Sequence, residues 1–320
     1  MSQKKKLSVL VIGCGDIAGY FENTKLKYPL THAGAYKKNE KYFRLSACLD
    51  IVGKKSIKFK KKWNFENAYS SFETLRKDFK RFDVISVCVP SNDHYDLLRA
   101  ILEFKPSIVF CEKPLTMNLN DSQKIIHKYK RNKVPLAVNY TRRWCKDIIK
   151  LKTDLIEKKN GKIISITGQY NKGLFNNGSH MIDLFSYLFG KMSVRWTGKH
   201  KYDYWKDDPS ISFILETEDN LNIMVNALDY SYYPLFEIQI YTEKSIIEMI
   251  NSGHQWIIRK INKRHIKDKN KLKKIEGNIN QSMDNSIKNI IKYLKNETSL
   301  YCSGDDALNT QKICHKIFEF

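Results

Sequence analysis

Two short apolar runs separated by a helix-length segment constrain the fold more than any other feature of this sequence. The first run occupies residues 84–90 (Val-Ile-Ser-Val-Cys-Val-Pro) and the second occupies residues 108–111 (Ile-Val-Phe-Cys). Runs of this length and composition are typical of fully buried strands, and the segment between them is long enough for a crossover helix. The pattern therefore predicts two parallel strands of one sheet.

Polar residues follow both runs. Residues 90–94 come directly after the first run, and the second run is followed by Glu-Lys-Pro at residues 112–114. Parallel strands place their carboxyl ends on one edge of a sheet, and open α/β sheets bind ligands at that edge. We therefore expect both segments to converge on one crevice. The cofactor-binding candidates in them are Pro90, Ser91, Asn92, His94, Glu112 and Lys113.

The N-terminal strand ends in a glycine pattern that fits a dinucleotide. Residues 6–12 form a β-rich run, and Gly13, Gly15 and Ala18 then give the spacing GxGxxA where a helix can begin. The first glycine makes a tight turn, the second lets backbone approach a pyrophosphate, and the small third residue allows close packing. The pyrophosphate would lie on the helix N-terminus, where free amides favour an anion. The candidates here are Gly13, Gly15, Asp16 and Ile17. The pattern alone is also compatible with a simple tight turn.

An acidic residue closes the second predicted strand. Asp50 follows the strand-like residues 43–49, where a carboxylate can accept both ribose hydroxyls of an adenosine. The interval from the glycine loop is longer than usual, which we attribute to an insertion at residues 22–32. A carboxylate here repels a 2′-phosphate, so NAD is favoured over NADP, although Lys54 and Lys55 weigh against that preference. The alternative is that Asp50 only caps a helix.

Composition limits the class of protein. The chain has 320 residues, enough for two domains, with 42% hydrophobic residues and a formal net charge of +22. The lysines are scattered, with local density at residues 54–62 and 263–274, in segments predicted as exposed helix or loop. A solvated surface is one interpretation and a preference for anions is the other. An anionic small substrate fits both, and no nucleic-acid or membrane partner is predicted.

The cysteines and the N-terminus indicate the compartment. The seven cysteines form no CxxC pair and three lie in predicted strands, so we expect buried, reduced thiols. No apolar run approaches the length that spans a bilayer, and residues 1–6 lead into a strand without the apolar core of a signal peptide. We therefore expect a cytoplasmic protein. The eight histidines show no HxxxH or HExxH spacing, so no metal site is predicted.

The pattern changes after residue 142. Residues 1–142 alternate strand and helix, which predicts an α/β, doubly wound Rossmann domain with a parallel sheet. From residue 143 onward, a helix is followed by strands that alternate polar and apolar residues, as antiparallel strands with one covered face do. Residues 143–320 are thus predicted as an α+β domain for substrate binding and oligomerisation, and its last helix is a candidate to pack back on the first domain. A homodimer or homotetramer is expected.

Five segments carry a family resemblance. They are Gly13-Cys-Gly-Asp-Ile-Ala18, residues 87–94, Glu112-Lys-Pro114, Asn139-Tyr-Thr-Arg-Arg143 and residues 177–183. In this order they resemble the Gfo/Idh/MocA oxidoreductases, which are NAD(P)-dependent sugar and polyol dehydrogenases. Residues 303–307 also resemble the C-terminus of that family, so the resemblance spans nearly the whole chain. The Glu-Lys-Pro motif in its strand context is the specific part.

The resemblance implies catalytic roles for two residues. Lys113 matches the lysine that lies beside the nicotinamide and the reacting hydroxyl in the family, and His180 matches a second-domain histidine that reaches the same hydroxyl. An ammonium in a partly dry cleft has a lowered pKa, which suits proton transfer with an alcohol, and histidine is a natural acid or base near neutral pH. The alternatives are that Lys113 is one more solvated lysine and that His180 only packs.

One position departs from the family pattern. Many members carry an aspartate four residues before that histidine, and this chain has Asn176 there. Asparagine can orient a substrate or the lysine by hydrogen bonds, but it cannot take a proton. We therefore expect Asn176 to orient, and Lys113 or His180 to transfer the proton. The departure also leaves room for altered chemistry or a purely binding role.

Further polar residues are candidates to bind the substrate. Tyr170 and Lys172 leave a predicted strand where they could bind hydroxyls or a phosphate, and an arginine pair could bind a carboxylate or a pyrophosphate. The full set is Arg142, Arg143, Tyr170, Lys172 and Asn177.

Together these features predict an NAD-preferring oxidoreductase that moves a hydride between nicotinamide and a ring carbon of a sugar. By analogy, residues 177–180 resemble family members that act on sugars for surface glycans, some of them nucleotide-linked. Two other classes stay open. A methyltransferase also uses a glycine-rich loop and a strand-end acid, but it gives no reason for a Lys-Pro pair after a later strand. A non-catalytic NAD or sugar sensor is harder to exclude because of Asn176.

Overall fold

The computed structural model describes residues 6–22, 27–261 and 272–320. Part of the predicted insertion at 22–32 and most of the lysine-rich run at 263–274 lie outside these ranges. The chain divides into two compact units. The first comprises residues 1–144 and 280–308, and the second comprises residues 145–279 and 309–320.

The first unit contains a six-stranded parallel sheet. Its strands are β1 (Leu7–Ile12), β2 (Phe43–Leu49), β3 (Asn67–Tyr69), β4 (Val84–Val87), β5 (Ile108–Cys111) and β6 (Leu136–Val138). The strand order is β3-β2-β1-β4-β5-β6, which confirms the predicted doubly wound sheet. Every residue of β4 and β5 is buried, because helices cover both faces of a parallel sheet.

Helices connect these strands. They are α1 (His32–Lys38), α2 (Gly53–Trp63), α3 (Phe72–Asp78), α4 (His94–Ala100) and α5 (Leu119–Arg131). The side chains of Thr31, Ser71 and Asn118 each accept a backbone amide at a helix start, which explains why α1, α3 and α5 begin where they do. In sequence these capping residues are short and polar.

The second unit contains an eight-stranded, mainly antiparallel sheet. Its strands are β7 (Ile163–Tyr170), β8 (Met192–Thr197), β9 (Phe213–Thr217), β10 (Asn222–Ala227), β11 (Phe236–Thr242), β12 (Ser245–Ile250), β13 (Gln255–Lys260) and β14 (Leu272–Glu276). The order is β14-β13-β12-β11-β7-β10-β9-β8, with β7 and β10 the parallel pair. Helices α6 (Lys146–Ile156) and α7 (Ser179–Phe189) belong to this unit. The sequence patterns did not predict β8, β13 or β14.

The unit boundary differs from the predicted division at residue 142. Helix α8 (Ser282–Leu294) belongs to the first unit, because Met283, Ile287 and Ile290 are buried in the core of that unit. The Trp144 indole also donates to Asn289 on α8 at 3.2 Å. Helix α9 (Gly304–Glu319) begins in the first unit and continues in the second. Residues distant in sequence thus complete the first core.

All seven cysteines are buried and unbridged, as the sequence predicted. Among the described residues, no helix combines the length and the apolar composition that crossing a membrane requires.

A pair of isoleucine substitutions tests the place of α8 in the first core. Ile290 is fully buried, so Ile290→Ala is expected to lower the free energy of unfolding by about 2–5 kcal/mol. Ile57 on α2 is 54% exposed, and the matched Ile57→Ala is expected to change it by less than about 0.5 kcal/mol. Urea unfolding followed by fluorescence measures both. Equal, small effects would contradict the assignment of α8 to the core.

Candidate functional site

Polar residues of the first unit gather at the carboxyl ends of its parallel strands. Gly13 follows β1, Asp50 follows β2, Glu112 follows β5 and Asn139 follows β6. The strand order reverses between β1 and β4, and open sheets of this kind bind ligands where the order reverses. The glycine loop lies at that point.

The two loop glycines differ in what surrounds them. Gly13 has φ +87°, and a Cβ there would lie 2.6 Å from the carbonyl oxygen of Cys88, so both conformation and space require glycine. At Gly15 a Cβ would meet no atom within 4 Å. The backbone of Gly15 is therefore open to an approaching group, as the second glycine of a dinucleotide loop must be.

The helix after the glycine loop is short. It is a single π-helical turn, Asp16–Tyr20, in which Ala18 is buried and Asp16 is exposed. The next helix, α1, begins at His32, and the Glu22 carboxylate accepts the amides of Leu30 and Thr31 just before it. Glu22 thus occupies the N-terminus of α1 with the protein's own negative charge. A helical turn does begin directly after the glycine loop, where the sequence allows one.

Asp50 ties the glycine loop to the end of β2. One carboxylate oxygen accepts the Cys14 amide at 2.9 Å, and the other accepts the Val52 amide at 2.9 Å. Helix α2 begins after Val52 without a side-chain cap, so Asp50 does not cap it. Each oxygen receives one backbone donor and has a second lone pair, which a ribose hydroxyl can use.

The segment after β4 has two different parts. Pro90 and Asn92 are exposed at a one-turn helix, Ser91–Asp93, and remain candidates to contact a cofactor. His94 is fully buried, with its ring nitrogens 2.8 Å from the Pro114 carbonyl oxygen and 3.1 Å from that of Val89. The predicted contact of His94 with the cofactor is therefore corrected. His94 holds the two strand-end turns together instead.

Glu112 is held by side chains from distant parts of the first unit. Its Oε1 accepts His32 Nε2 at 2.9 Å and Asn139 Nδ2 at 2.6 Å. Burial acts to raise the pKa of Glu112, but it is outweighed by the hydrogen bond and the electrostatic attraction of His32, the hydrogen bond from Asn139 and the attraction of Lys113. The pKa therefore lies below the usual value for glutamate. A fixed negative charge results, one residue before the candidate catalytic lysine.

In the second unit, the segment with the other candidates is a π-helical turn, Gly173–Gly178, that leads into α7. The Asp208 carboxylate accepts the amides of Phe175 and Asn176 at 2.8 Å each. Side-chain amides then tie the turn to the end of β7, since Asn176 donates to the Lys172 carbonyl and Asn177 to that of Asn171. Asn176, Asn177 and His180 are all half-buried. Single π-turns are frequent at functional sites.

Three predicted substrate contacts need comment. Tyr170 is fully buried and its hydroxyl donates to the Ile211 carbonyl at 2.8 Å, so that prediction is corrected: Tyr170 is a core residue. Arg143 is 4% exposed and forms an ion pair with Asp306 at 2.9 Å, so its guanidinium is paired within the first unit. Arg142 is also buried, and its substrate contact stays a prediction.

Lys172 keeps a partly exposed ammonium among aromatic rings. Its Nζ lies 4.5 Å from the ring centre of Tyr204 and 5.1 Å from that of Tyr230. The Asp203 carboxylate accepts the backbone amides of both Lys172 and Tyr230, which fixes this arrangement. The aromatic residues thus hold the lysine in place by cation–π contact.

The sequence analysis missed several residues that shape the site. His32 gave no signal, because it is the last residue of the predicted insertion and lies 80 positions from Glu112. Asp203 and Asp208 stand in a loop without a motif. Asn139 carried one usable signal, its place directly after a predicted strand. Among the described residues, no group of three potential ligands is placed to hold a metal ion.

Residues 7–140 match the model of the Gfo/Idh/MocA oxidoreductase family with an NAD-binding Rossmann fold. A curated relative, the myo-inositol 2-dehydrogenase of Thermotoga maritima, is 32% identical over 127 residues, which cover 39% of this chain and 37% of that protein. The curated relatives from Salmonella are matched over 58% of their length. The chain thus spans between about a third and three fifths of the curated relatives it matches.

Two solved structures show the similarity of fold over nearly the whole chain. A super-repressor mutant of Gal80p from Saccharomyces cerevisiae superposes with a TM-score of 0.83 at 14% identity, covering 98% of this chain and 95% of that one. The WlbA dehydrogenase of Bordetella pertussis, solved with NADH and UDP-GlcNAcA, superposes with a TM-score of 0.77 at 15% identity, covering 98% and 96%. The match to the Gfo/Idh/MocA oxidoreductase family covers residues 7–140 of this chain.

The two glycines give a matched test of the dinucleotide loop. Gly13→Ala is expected to destabilise the protein by about 1–3 kcal/mol or more, because alanine is strained at positive φ and meets the Cys88 carbonyl. Gly15→Ala is expected to leave stability within about 0.5 kcal/mol of the wild type yet weaken binding of NADH, since the methyl group fills the open approach. Thermal unfolding and fluorescence titration with NADH and NADPH measure the two effects. Unchanged NADH binding by Gly15→Ala would contradict the assigned loop.

The low pKa of Glu112 predicts a pH-dependent contribution to stability. Because the pKa is lower in the folded protein than in the unfolded chain, the unfolded chain takes up the proton first as pH falls. The contribution is therefore complete above the unfolded value of about 4.3 and is lost as pH falls through the folded value. Relative to Glu112→Gln, the wild type is expected to be more stable by roughly 1–3 kcal/mol at pH 7. That difference should shrink below about pH 4.3 in urea titrations, and a difference that grows there would be inconsistent with a lowered pKa.

Proposed function

We propose that this chain is an NAD-preferring oxidoreductase that transfers a hydride between nicotinamide and a ring carbon of a sugar or sugar derivative. One observation carries the proposal. A glycine loop with open backbone, a strand-end carboxylate and the Glu112-Lys113 pair share one edge of a family-matched Rossmann sheet. Such an edge is suited to a dinucleotide, with its pyrophosphate at the loop and its ribose at the acid.

Residues of the first unit would hold the cofactor and move the proton. The open backbone at Gly15 admits the pyrophosphate, and the Asp50 carboxylate accepts ribose hydroxyls and disfavours a 2′-phosphate. The bound nicotinamide supplies the hydride acceptor or donor. Lys113 takes the hydroxyl proton when the sugar is oxidised and returns it when the ketone is reduced.

The second unit would supply the sugar-binding groups. His180 is the second candidate acid or base, and Asn176 and Asn177 present amides beside it that can orient hydroxyl groups. The relatives named above include a myo-inositol dehydrogenase and a dehydrogenase solved with a UDP-sugar acid, and both support a polyhydroxylated ring as substrate. We favour a nucleotide-linked sugar because the exposed loop around Lys172 combines an ammonium with aromatic rings. A homodimer or homotetramer remains our expectation.

A second candidate function is a non-catalytic sensor of NAD and sugar. Asn176 favours it, since an amide cannot exchange a proton where many family members carry an aspartate. The similarity of fold to Gal80p, described as a super-repressor, is compatible with that alternative. Both functions use the same binding residues, and only turnover separates them.

Substitution of Lys113 tests for catalysis. Lys113→Ala is expected to lower the turnover of nicotinamide, followed by absorbance with UDP-GlcNAcA or myo-inositol, by roughly 10²- to 10⁴-fold, because a positioned acid–base group contributes that much. NADH binding should change little. Lys58→Ala, at an exposed lysine of α2, is the matched control and should keep full activity. A wild type that binds NADH and a sugar without any absorbance change would favour the sensor.

A further inference from the structure

His32 is a buried histidine that the proposed chemistry does not use. It is fully buried at the start of α1, with Nε2 2.9 Å from Glu112 Oε1 and Nδ1 3.0 Å from Ser86 Oγ. The Ser86 hydroxyl in turn lies 2.8 Å from that of Tyr36, which is also fully buried. Four side chains from α1, β4 and the end of β5 thus form one hydrogen-bonded chain.

Counting donors and acceptors fixes the direction of the contact with Glu112. The ionised Glu112 carboxylate can only accept, so His32 Nε2 must carry a proton and donate it. Ser86 Oγ lies within hydrogen-bond distance of both His32 Nδ1 and the Tyr36 hydroxyl, and a hydroxyl can donate one bond and accept another. The contact that supports Glu112 is therefore the donation from His32 Nε2.

The arrangement resembles a Ser-His-carboxylate triad but cannot act as one. The Ser86 hydroxyl lies inside β4, is fully buried, and its oxygen is hydrogen-bonded to the Tyr36 hydroxyl at 2.8 Å. The chain of hydrogen bonds also ends at the buried Tyr36, so it offers no path for a proton to solvent. Nucleophilic attack and proton relay are therefore excluded as roles of this chain, and support of Glu112 remains.

The charge of Glu112 is felt by its neighbours. Lys113 attracts it, and this attraction helps to keep the pKa of Glu112 low. The pKa values of the Cys88 and Cys111 thiols are raised, first by burial and then by repulsion from Glu112. Asn139 supplies the other hydrogen bond to Oε1. A change in the charge or position of Glu112 would therefore reach Lys113 directly.

We propose that His32 is a positioning residue for Lys113, and that it acts by keeping the Glu112 carboxylate ionised and fixed beside the lysine. Its functional meaning depends on the catalytic role of Lys113 proposed above. Glu112 and Lys113 are adjacent on the strand-end turn, so an immobile carboxylate limits where the ammonium can lie and favours its charged form. Neither His32 nor Ser86 touches the reacting atoms.

Chemical labelling of Lys113 tests the proposal without any substrate. Competitive acetylation by acetic anhydride at pH 8, quantified by mass spectrometry, measures the free-amine reactivity of each lysine, with Lys58 as the internal reference. His32→Leu removes the donor to Glu112, so the carboxylate loses support for its charge. Labelling of Lys113 is expected to accelerate by roughly threefold to tenfold, because a carboxylate that is no longer held beside the ammonium stabilises its charged form less. His32→Gln, whose amide can still donate to Glu112 and accept from Ser86, should restore the wild-type rate.

Both outcomes are decisive in folded variants. Acceleration in His32→Leu with recovery in His32→Gln supports the proposal, and equal labelling in all three proteins overturns it. If His32→Leu does not fold, His32→Asn replaces it, because the shorter amide cannot span the 2.9 Å contact to Glu112. Absence of any dehydrogenase activity would refute the proposed function while leaving the labelling result intact.

The protonation state of His32 gives a second measurement on the wild type. Nitrogen-15 NMR of histidine rings at pH 7.5, with the signals of His32 identified by their loss in His32→Gln, reports which ring nitrogen carries the proton. The expected result is a proton on Nε2, which donates to Glu112. A proton on Nδ1 alone would leave Glu112 without this donor and would overturn the proposal.

Discussion

The ionised carboxylate of Glu112 is the group on which the sheet edge depends. A partly buried charge is costly unless it is hydrogen-bonded, and here its donors come from α1 and from the residue after β6. Those two hydrogen bonds connect the ends of β5 and β6 with α1. The same charge lies next to Lys113, so the interaction that stabilises the edge also determines the electrostatics of the candidate catalytic group.

Backbone constraints shape the opposite half of that edge. Gly13 cannot carry a side chain because the turn after β4 presses against it, whereas Gly15 faces open space. Asp50 joins this loop to the end of β2 through two backbone amides. A loop that is packed tightly at Gly13 and open at Gly15 is preorganised for a ligand that approaches the backbone. Rigidity and access are thus divided between two glycines that are only two positions apart.

The second unit uses carboxylates in the same structural way. Asp203 and Asp208 accept backbone amides of the π-helical turn and of the aromatic loop, and so fix segments that have little regular structure of their own. The candidate residues Asn176 and Asn177 therefore lie in a turn that is fixed by hydrogen bonds, and His180 lies in the first turn of the helix that follows. In both units, ionised side chains position backbone, and the backbone positions the polar groups available to ligands.

Local patterns in the sequence determined the class of fold and the place of the candidate cofactor edge. Continuous apolar runs identified β4 and β5, alternation identified most of the antiparallel strands, and strand-end residues such as Asp50 and Glu112 could be found because a strand's end is a local property. The strands β8, β13 and β14 could not be identified in this way, since their exposed or edge positions give weak alternation of polar and apolar residues.

Only the tertiary structure decided what each polar side chain does. Residue type placed His94, Arg143 and Tyr170 among the ligand-binding candidates, yet burial commits His94 to two backbone carbonyls, Arg143 to Asp306 and Tyr170 to the core. His32 and Glu112 meet across 80 positions, and α8 completes a core that consists mainly of residues before position 145. Periodicity is a property of neighbouring residues, whereas such partners are selected by the packing of the whole chain, so no local pattern could reveal them.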